Sequence, residues 1–154
     1  MTPFIAELTG SAILIILGDG VVANVILHKT KGYNGGLMAI TFGWAMAVFV
    51  AVYATASVSG AHLNPAVTIA LATIGKFDWA LVPGYLAAQL LGCMLGALIV
   101  WITYRQHFNA TEDAATKLGV FCTSPSINKP VDNIISEIIG TFVWVALTGQ
   151  NEIH

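Results

Sequence analysis

The sequence predicts an all-α membrane protein, built as a bundle of transmembrane helices with one re-entrant half-helix. Of the 154 residues, 56% are hydrophobic and only 9% are charged, whereas roughly 25% are charged in soluble domains. Four apolar runs follow one another, and the first three are long enough to cross a hydrocarbon core of about 30 Å. A short polar turn before a shorter apolar stretch predicts the half-helix. The four runs are Phe4–Leu27, Leu37–Val58, Trp79–Tyr104 and Ile134–Leu147.

Each run predicts one element, in chain order. The first predicts a retained helix, because Phe4–Leu27 is too long for a signal-peptide core and no small-residue cleavage site follows it. The second and third runs predict two further crossings, and residues 105–131 a long loop. The fourth meets the polar tail Gln150–His154 early, so it predicts most of a fourth helix. The net charge of −2 leaves no basic surface suited to nucleic acid.

The polar turn lies between the second and third runs and leads into the half-helix, predicted over residues 64–75. Asn64 is a favoured N-cap, Pro65 suits the first helical position, and Gly75 suits the C-terminal end. Such a helix would extend about 16 Å, half the hydrocarbon core. Unpaired backbone groups cost several kcal/mol each in lipid, so the turn indicates a segment that lines a water-filled path.

The chemistry of this turn suits a neutral solute. If the side-chain oxygen of Asn64 caps the helix, its amide N–H groups stay available as donors, and the carbonyls of Gly60–Leu63 offer acceptors. The positive end of the helix dipole disfavours cations and protons. These features favour water or a small polyhydroxyl compound. The alternative is an ordinary Asn-Pro helix start without functional meaning. The residues predicted to line the path are Gly60, Ala61, His62, Leu63, Asn64, Pro65 and Ala66.

The chain also contains an internal similarity. Phe4–Ser11 resembles Ile134–Thr141, 130 residues later, and Glu7 and Glu137 occupy matching positions. Three intervening crossings would start the second copy from the opposite side of the membrane, as in inverted repeats. The similarity predicts a first repeat over residues 1–131 and the opening of a second over 132–154. The alternative is a chance match between two apolar helix starts.

Ser59–Thr68 is similar to the first signature of the major intrinsic protein family, the aquaporins and glycerol facilitators. From Phe4 to Gly149 the chain resembles the N-terminal half of a bacterial glycerol facilitator. The resemblance implies a homotetramer in the cell membrane that passively conducts glycerol, other small neutral polyols and water. It implies paired Asn-Pro-Ala motifs and cytoplasmic termini. Because the sequence contains no catalytic triad, phosphate loop, metal cluster or cofactor motif, no enzymatic activity and no cofactor are expected. The Lys and Arg residues after helices one and three favour the opposite orientation.

The resemblance also assigns individual residues. Trp44 matches a constriction aromatic that glycerol-conducting members share, although a tryptophan facing lipid is the alternative. Glu7 and Glu137 match glutamates that support the pore loops; proximity to headgroups and proton transfer are the alternatives. His62 has no ligand partner at metal-binding spacing, so a backbone role is favoured and no metal site is expected.

Three hypotheses for the chain remain open at this point. It is a working channel subunit, or a truncated, non-conducting fragment that needs a missing C-terminal half, or a small proton-coupled transporter formed by oppositely oriented copies. The expected filter arginine and second Asn-Pro-Ala of the family would belong to that missing half, near position ~194 by the repeat offset.

Overall fold

The computed structural model of the chain describes residues 1–148. Within that range every regular element is a helix, and four helices are long and apolar enough to cross a membrane. The predicted all-α membrane class is therefore confirmed. The predicted tail Gln150–His154 lies outside the described residues. The helices are α1 Pro3–Ile26, α2 Leu37–Ser59, α3 Pro65–Thr73, α4 Val82–Thr103, α5 Arg105–Ala110, α6 Ala114–Gly119 and α7 Pro130–Thr148.

Helix α1 packs against both α2 and α4. A Cβ atom added at Gly92 of α4 would clash with the carbonyl oxygen of Leu8, and one at Gly96 would lie 2.8 Å from that of Ala12. These approaches advance together along the two helices, so α4 runs parallel to α1. Small residues at such positions let helix backbones come close in a membrane.

Helix α2 runs antiparallel to α1. Gly10 near the start of α1 faces Thr55 near the end of α2, and Gly18 farther along α1 faces Trp44 near the start of α2. Helix α2 therefore ends, and α4 begins, on the side of the membrane where α1 begins, which we call the N-terminal side. The segment 60–81 enters and leaves on that side, so α3 is re-entrant.

Helix α3 is slightly shorter than the half-helix predicted over residues 64–75. It ends at Thr73, Ile74 is its C-cap, and Gly75 has a left-handed φ of 74°. Glycine adopts that conformation without the steric cost that a Cβ atom would impose. Nine residues extend about 14 Å, less than half of the hydrocarbon core.

The long loop predicted over residues 105–131 is wrong in part, because α5 and α6 lie within it. The Asp113 carboxylate caps α6 by accepting a hydrogen bond from the backbone N–H of Thr116, at 2.7 Å. Phe108 and Val120 anchor the region by packing into an apolar cluster with Leu27. Helices of six residues are too short to leave a periodic pattern in the sequence.

Helix α7 is the least buried of the four long helices. None of its candidate span, Pro130–Leu147, is buried, compared with 44% of the span of α1. It contacts α3, and it begins two residues before the predicted repeat boundary at 131/132. Its outer surface is therefore free to meet lipid or other protein segments.

Candidate functional site

The turn between α2 and α3 is braced by the carboxylate of Glu7, which is fully buried. One oxygen, Oε1, accepts hydrogen bonds from the hydroxyl of Ser59 at 2.7 Å and the backbone N–H of His62 at 3.0 Å. The other, Oε2, accepts from the N–H of Leu63 at 2.8 Å and from Nε2 of Gln89 at 2.9 Å. Glu7 thus ties the turn to α1, α2 and α4 at once.

The backbone of the turn is held in an uncommon conformation. Gly60, Ala61 and Leu63 have φ values of 79°, 50° and 52°, and the two residues with a Cβ atom each carry strain of roughly 1–3 kcal/mol. The hydroxyl of Ser59 accepts a hydrogen bond from the N–H of Ala61 at 3.1 Å. Because Ser59 and Glu7 bind three consecutive N–H groups, they hold the chain in this shape.

The opposite face of the turn borders a groove of about 470 Å³, lined by Gly60 to Asn64 together with α1, α2, α3 and α7. The carbonyl groups of Gly60, Ala61 and Leu63 accept no hydrogen bond from residues 1–148. Elsewhere the walls are mainly aliphatic, with Val48 and Val52 of α2 among them. The groove therefore combines apolar walls with acceptors along one edge.

The imidazole of His62 is buried behind the turn. Its Nδ1 lies 3.1 Å from Oγ1 of Thr68, and its ring packs against those of Phe77 and Tyr85. Oγ1 of Thr68 also accepts a hydrogen bond from Nε2 of Gln89 at 3.0 Å. The side chain of His62 therefore joins the buried polar network that holds the turn.

Asn64 caps α3 as the sequence predicts. Its Oδ1 accepts a hydrogen bond from the N–H of Ala66 at 2.8 Å, and Pro65 occupies the first turn. The Nδ2 amide group finds no acceptor within residues 1–148. Asn64 borders the groove, whereas Pro65 and Ala66, which the sequence also predicts to line the path, are not among its lining residues. A hydrogen-bond donor thus stands at the start of α3, beside the positive end of its dipole.

Trp44 lies one turn beyond the groove-lining part of α2. Positions Val48, Val52 and Ala56 line the groove at four-residue spacing, and Trp44 continues that face away from the N-terminal side. Its ring is half-buried against α1, where a Cβ atom added at Gly18 would lie 2.5 Å from it. Trp44 therefore lies beyond the residues that line the groove, on the side away from the turn.

Glu137 lies on an exposed part of α7, and the structure does not bring it to the turn that Glu7 braces. Two other residues of the site were not anticipated from the sequence, namely Gln89 and Trp144. Gln89 is a polar residue in an apolar run, a signal that could have pointed to it. Trp144 carried no comparable signal.

Comparison with known proteins places this geometry in a family. Residues 1–151 match the family model described as major intrinsic protein. The chain is 53% identical over 143 residues to a probable glycerol uptake facilitator protein of Thermotoga maritima, covering 93% of this chain and 61% of that protein. It is 50% identical over 145 residues to the glycerol uptake facilitator protein of Bacillus subtilis, covering 94% and 53%.

A solved structure is similar as well. The aquaglyceroporin from Plasmodium falciparum superimposes with a TM-score of 0.66 at 39% identity, covering 73% of this chain and 46% of that one. The chain thus spans between about half and three-fifths of the length of the curated relatives just named. With four apolar helices it is a multi-pass protein of the cell membrane. The family match, the identities and the re-entrant Asn-Pro-Ala helix together assign the chain to the major intrinsic protein family.

Proposed function

We propose that the chain forms part of a passive channel for glycerol, other small neutral polyols and water, and that the groove is part of the conducting path. The observation that carries the proposal is the pairing of one donor with a row of acceptors. The amide of Asn64 stands beside the carbonyls of Gly60, Ala61 and Leu63, which accept no hydrogen bond from the described part of the chain. The names of the relatives, glycerol uptake facilitators, support the same substrate.

The groove suits a molecule that is apolar on one face and polar on the other. Glycerol hydroxyls can accept from Asn64 and donate to the carbonyls, while the carbon chain lies against Val48 and Val52. Apolar walls with a few placed polar groups are typical of small-molecule sites. We assign Trp44 to the same path as an aromatic constriction at its far end.

Exclusion of ions follows from the same parts. The positive end of the α3 dipole lies at Asn64, and the aliphatic walls offer a cation no replacement for its hydration shell. The proposal contains no catalytic step and no cofactor.

We assign Glu7 to support of the turn and not to proton transfer. Each of its oxygens accepts two hydrogen bonds, from four different groups, and protonation would oppose at least one of them. For Glu137 the corresponding support role stays a prediction. The assembly expected from the family resemblance, a homotetramer in the bilayer, belongs to the proposal, and the exposed apolar sides of α2 and α4 suit it.

The test is solute flux into liposomes that contain the chain, followed by light scattering after an osmotic jump. Asn64→Asp keeps the capping oxygen but removes the amide donor, so we expect α3 to persist while glycerol permeability falls about tenfold, since a lost hydrogen bond is worth roughly 1 kcal/mol and the new charge adds desolvation. Asn109→Asp, an exposed matched change on α5, should leave the flux unchanged. In a preparation that conducts glycerol, equal fluxes for all three proteins would contradict the proposal.

The same liposomes separate the remaining hypotheses. Because the chain spans 61% of the Thermotoga maritima relative, a second preparation adds the part of that relative that the chain does not cover. Flux only in the second preparation would identify the chain as non-conducting by itself. Flux that follows an imposed pH gradient would instead support a proton-coupled transporter and overturn the assignment of Glu7.

A further inference from the structure

Trp144 brings an aromatic side chain from α7 to the groove. Among the described residues it is the one member of α7 in the lining, where it joins Asn64, Val67 and Leu71. Its side chain is 41% exposed. A large flat side chain at this place narrows the space in front of α3.

The position of Trp144 along the membrane follows from the helix directions. Helix α4 ends on the side opposite the N-terminal side, so α7 starts there and runs back. Trp144 lies fourteen residues after Pro130, about 21 Å along the helix, which places it in the half of the membrane that α3 occupies. The contact between α7 and α3 agrees with this depth.

Two tryptophans therefore lie at different depths on either side of Asn64. Trp44 lies toward the far end of the groove, against Gly18, and Trp144 lies beside α3. Rigid aromatic faces pack well against the C–H face of a polyol and leave little room for a branched or longer one. The two positions come from α2 and α7, so neither ring can substitute for the other.

We propose that Trp144 forms a second aromatic constriction, on the N-terminal side of Asn64, and that it limits the size of the neutral polyol that passes. This inference rests on the proposed channel function. It goes further by naming a residue that determines specificity and the property it selects, which is the size of the solute.

The first experiment compares polyols of increasing size in liposomes that conduct glycerol. Trp144→Leu should raise the permeability to xylitol relative to glycerol by about tenfold, the lower end of what bulk in a close-fitting apolar site is worth. Trp101→Leu is the matched control, because Trp101 on α4 is similarly exposed, at 44%, and does not line the groove. Equal xylitol-to-glycerol ratios in Trp144→Leu and Trp101→Leu would overturn the proposal.

A second measurement does not depend on flux. With Cys93 and Cys122 replaced by alanine, Val67→Cys places a single thiol on the groove wall. Its reaction with a bulky methanethiosulfonate should accelerate on adding Trp144→Leu, whereas that with a small one should change little. Acceleration without glycerol flux in either liposome preparation would support the constriction and contradict the proposed function. Unchanged rates for both reagents would contradict the constriction itself.

Discussion

Two regions of the chain are similar in sequence and differ in surroundings. Phe4–Ser11 opens α1 and Ile134–Thr141 lies in α7, with Glu7 and Glu137 at matching positions. Glu7 is fully buried and accepts four hydrogen bonds, whereas Glu137 is exposed. The same residue type at the same place in a similar segment therefore does not have the same structural role. Its role depends on the donors that other segments bring to it.

The largest effect is expected from Glu7→Gln. In either orientation the new NH₂ group faces a backbone N–H, that of His62 or that of Leu63. The free energy of unfolding should fall by about 3 kcal/mol, because bonds to a charged group are lost and a buried donor is left unpaired. Denaturation in mixed micelles measures this loss.

Glu137→Gln is the matched control for that change. Its side chain is exposed and receives no hydrogen bond from the described part of the chain, so stability should not change measurably. If both variants lost stability equally, the contrast between the two regions would be wrong.

The next largest effect on stability is expected where the two regions differ in how tightly a glycine is packed. Gly10 and Gly140 are also matching positions in the similarity. A Cβ atom at Gly10 would lie 2.5 Å from Cδ2 of Leu63 and 3.0 Å from Oγ1 of Thr55, whereas one at Gly140 meets no atom of residues 1–148 within 4 Å. Gly10→Ala should destabilise the protein by about 1–3 kcal/mol through overpacking. Gly140→Ala should be neutral or stabilise α7 by up to about 1 kcal/mol. Thermal denaturation in detergent measures both, and a stabilised Gly10→Ala would contradict the close approach.

A smaller effect is expected at Ser59, whose hydroxyl donates to Glu7 and accepts from the N–H of Ala61. Ser59→Ala removes both bonds but leaves the carboxylate three donors, so the loss should be about 1–2 kcal/mol. Ser136 of α7 donates to the carbonyl of Asp132 within its own helix, and Ser136→Ala should show no loss. A double variant with Glu7→Gln should lose less than the sum, because the two residues share a bond.

The sequence predicts some of these features better than others, for physical reasons. The start of α3 is predictable because Asn64 and Pro65 act locally. The side chain of Asn64 caps the helix by binding the N–H two residues later, and the ring of Pro65 fixes its own φ. The bracing by Glu7 is expected only through the family resemblance, and its partner Gln89 is not predictable, because the two residues are 82 residues apart and meet only when α1 packs parallel to α4. Trp144 was missed for the same reason, since α7 reaches the groove only by its contact with α3.

The smallest effect comes from a third carboxylate, that of Asp113, which is bonded but exposed to solvent. Hydrogen bonds from the hydroxyl and then the N–H of Thr116 hold the pKa of Asp113 below its ordinary value of 3.8. The stabilisation of α6 is therefore complete above pH 3.8 and is lost as the pH falls through the lowered pKa of the folded state. The Thr116 amide resonance in an NMR titration should report this step below pH 3.8. Asp113→Asn retains a capping oxygen without the charge, so it should abolish the pH dependence while α6 persists.

Since water competes for the exposed carboxylate of Asp113, the whole protein should stay folded when that carboxylate is protonated, in contrast to the loss of stability expected for Glu7→Gln. Global unfolding at that pH would mean that hydrogen bonding alone, without burial, gives a carboxylate the importance we attribute to Glu7.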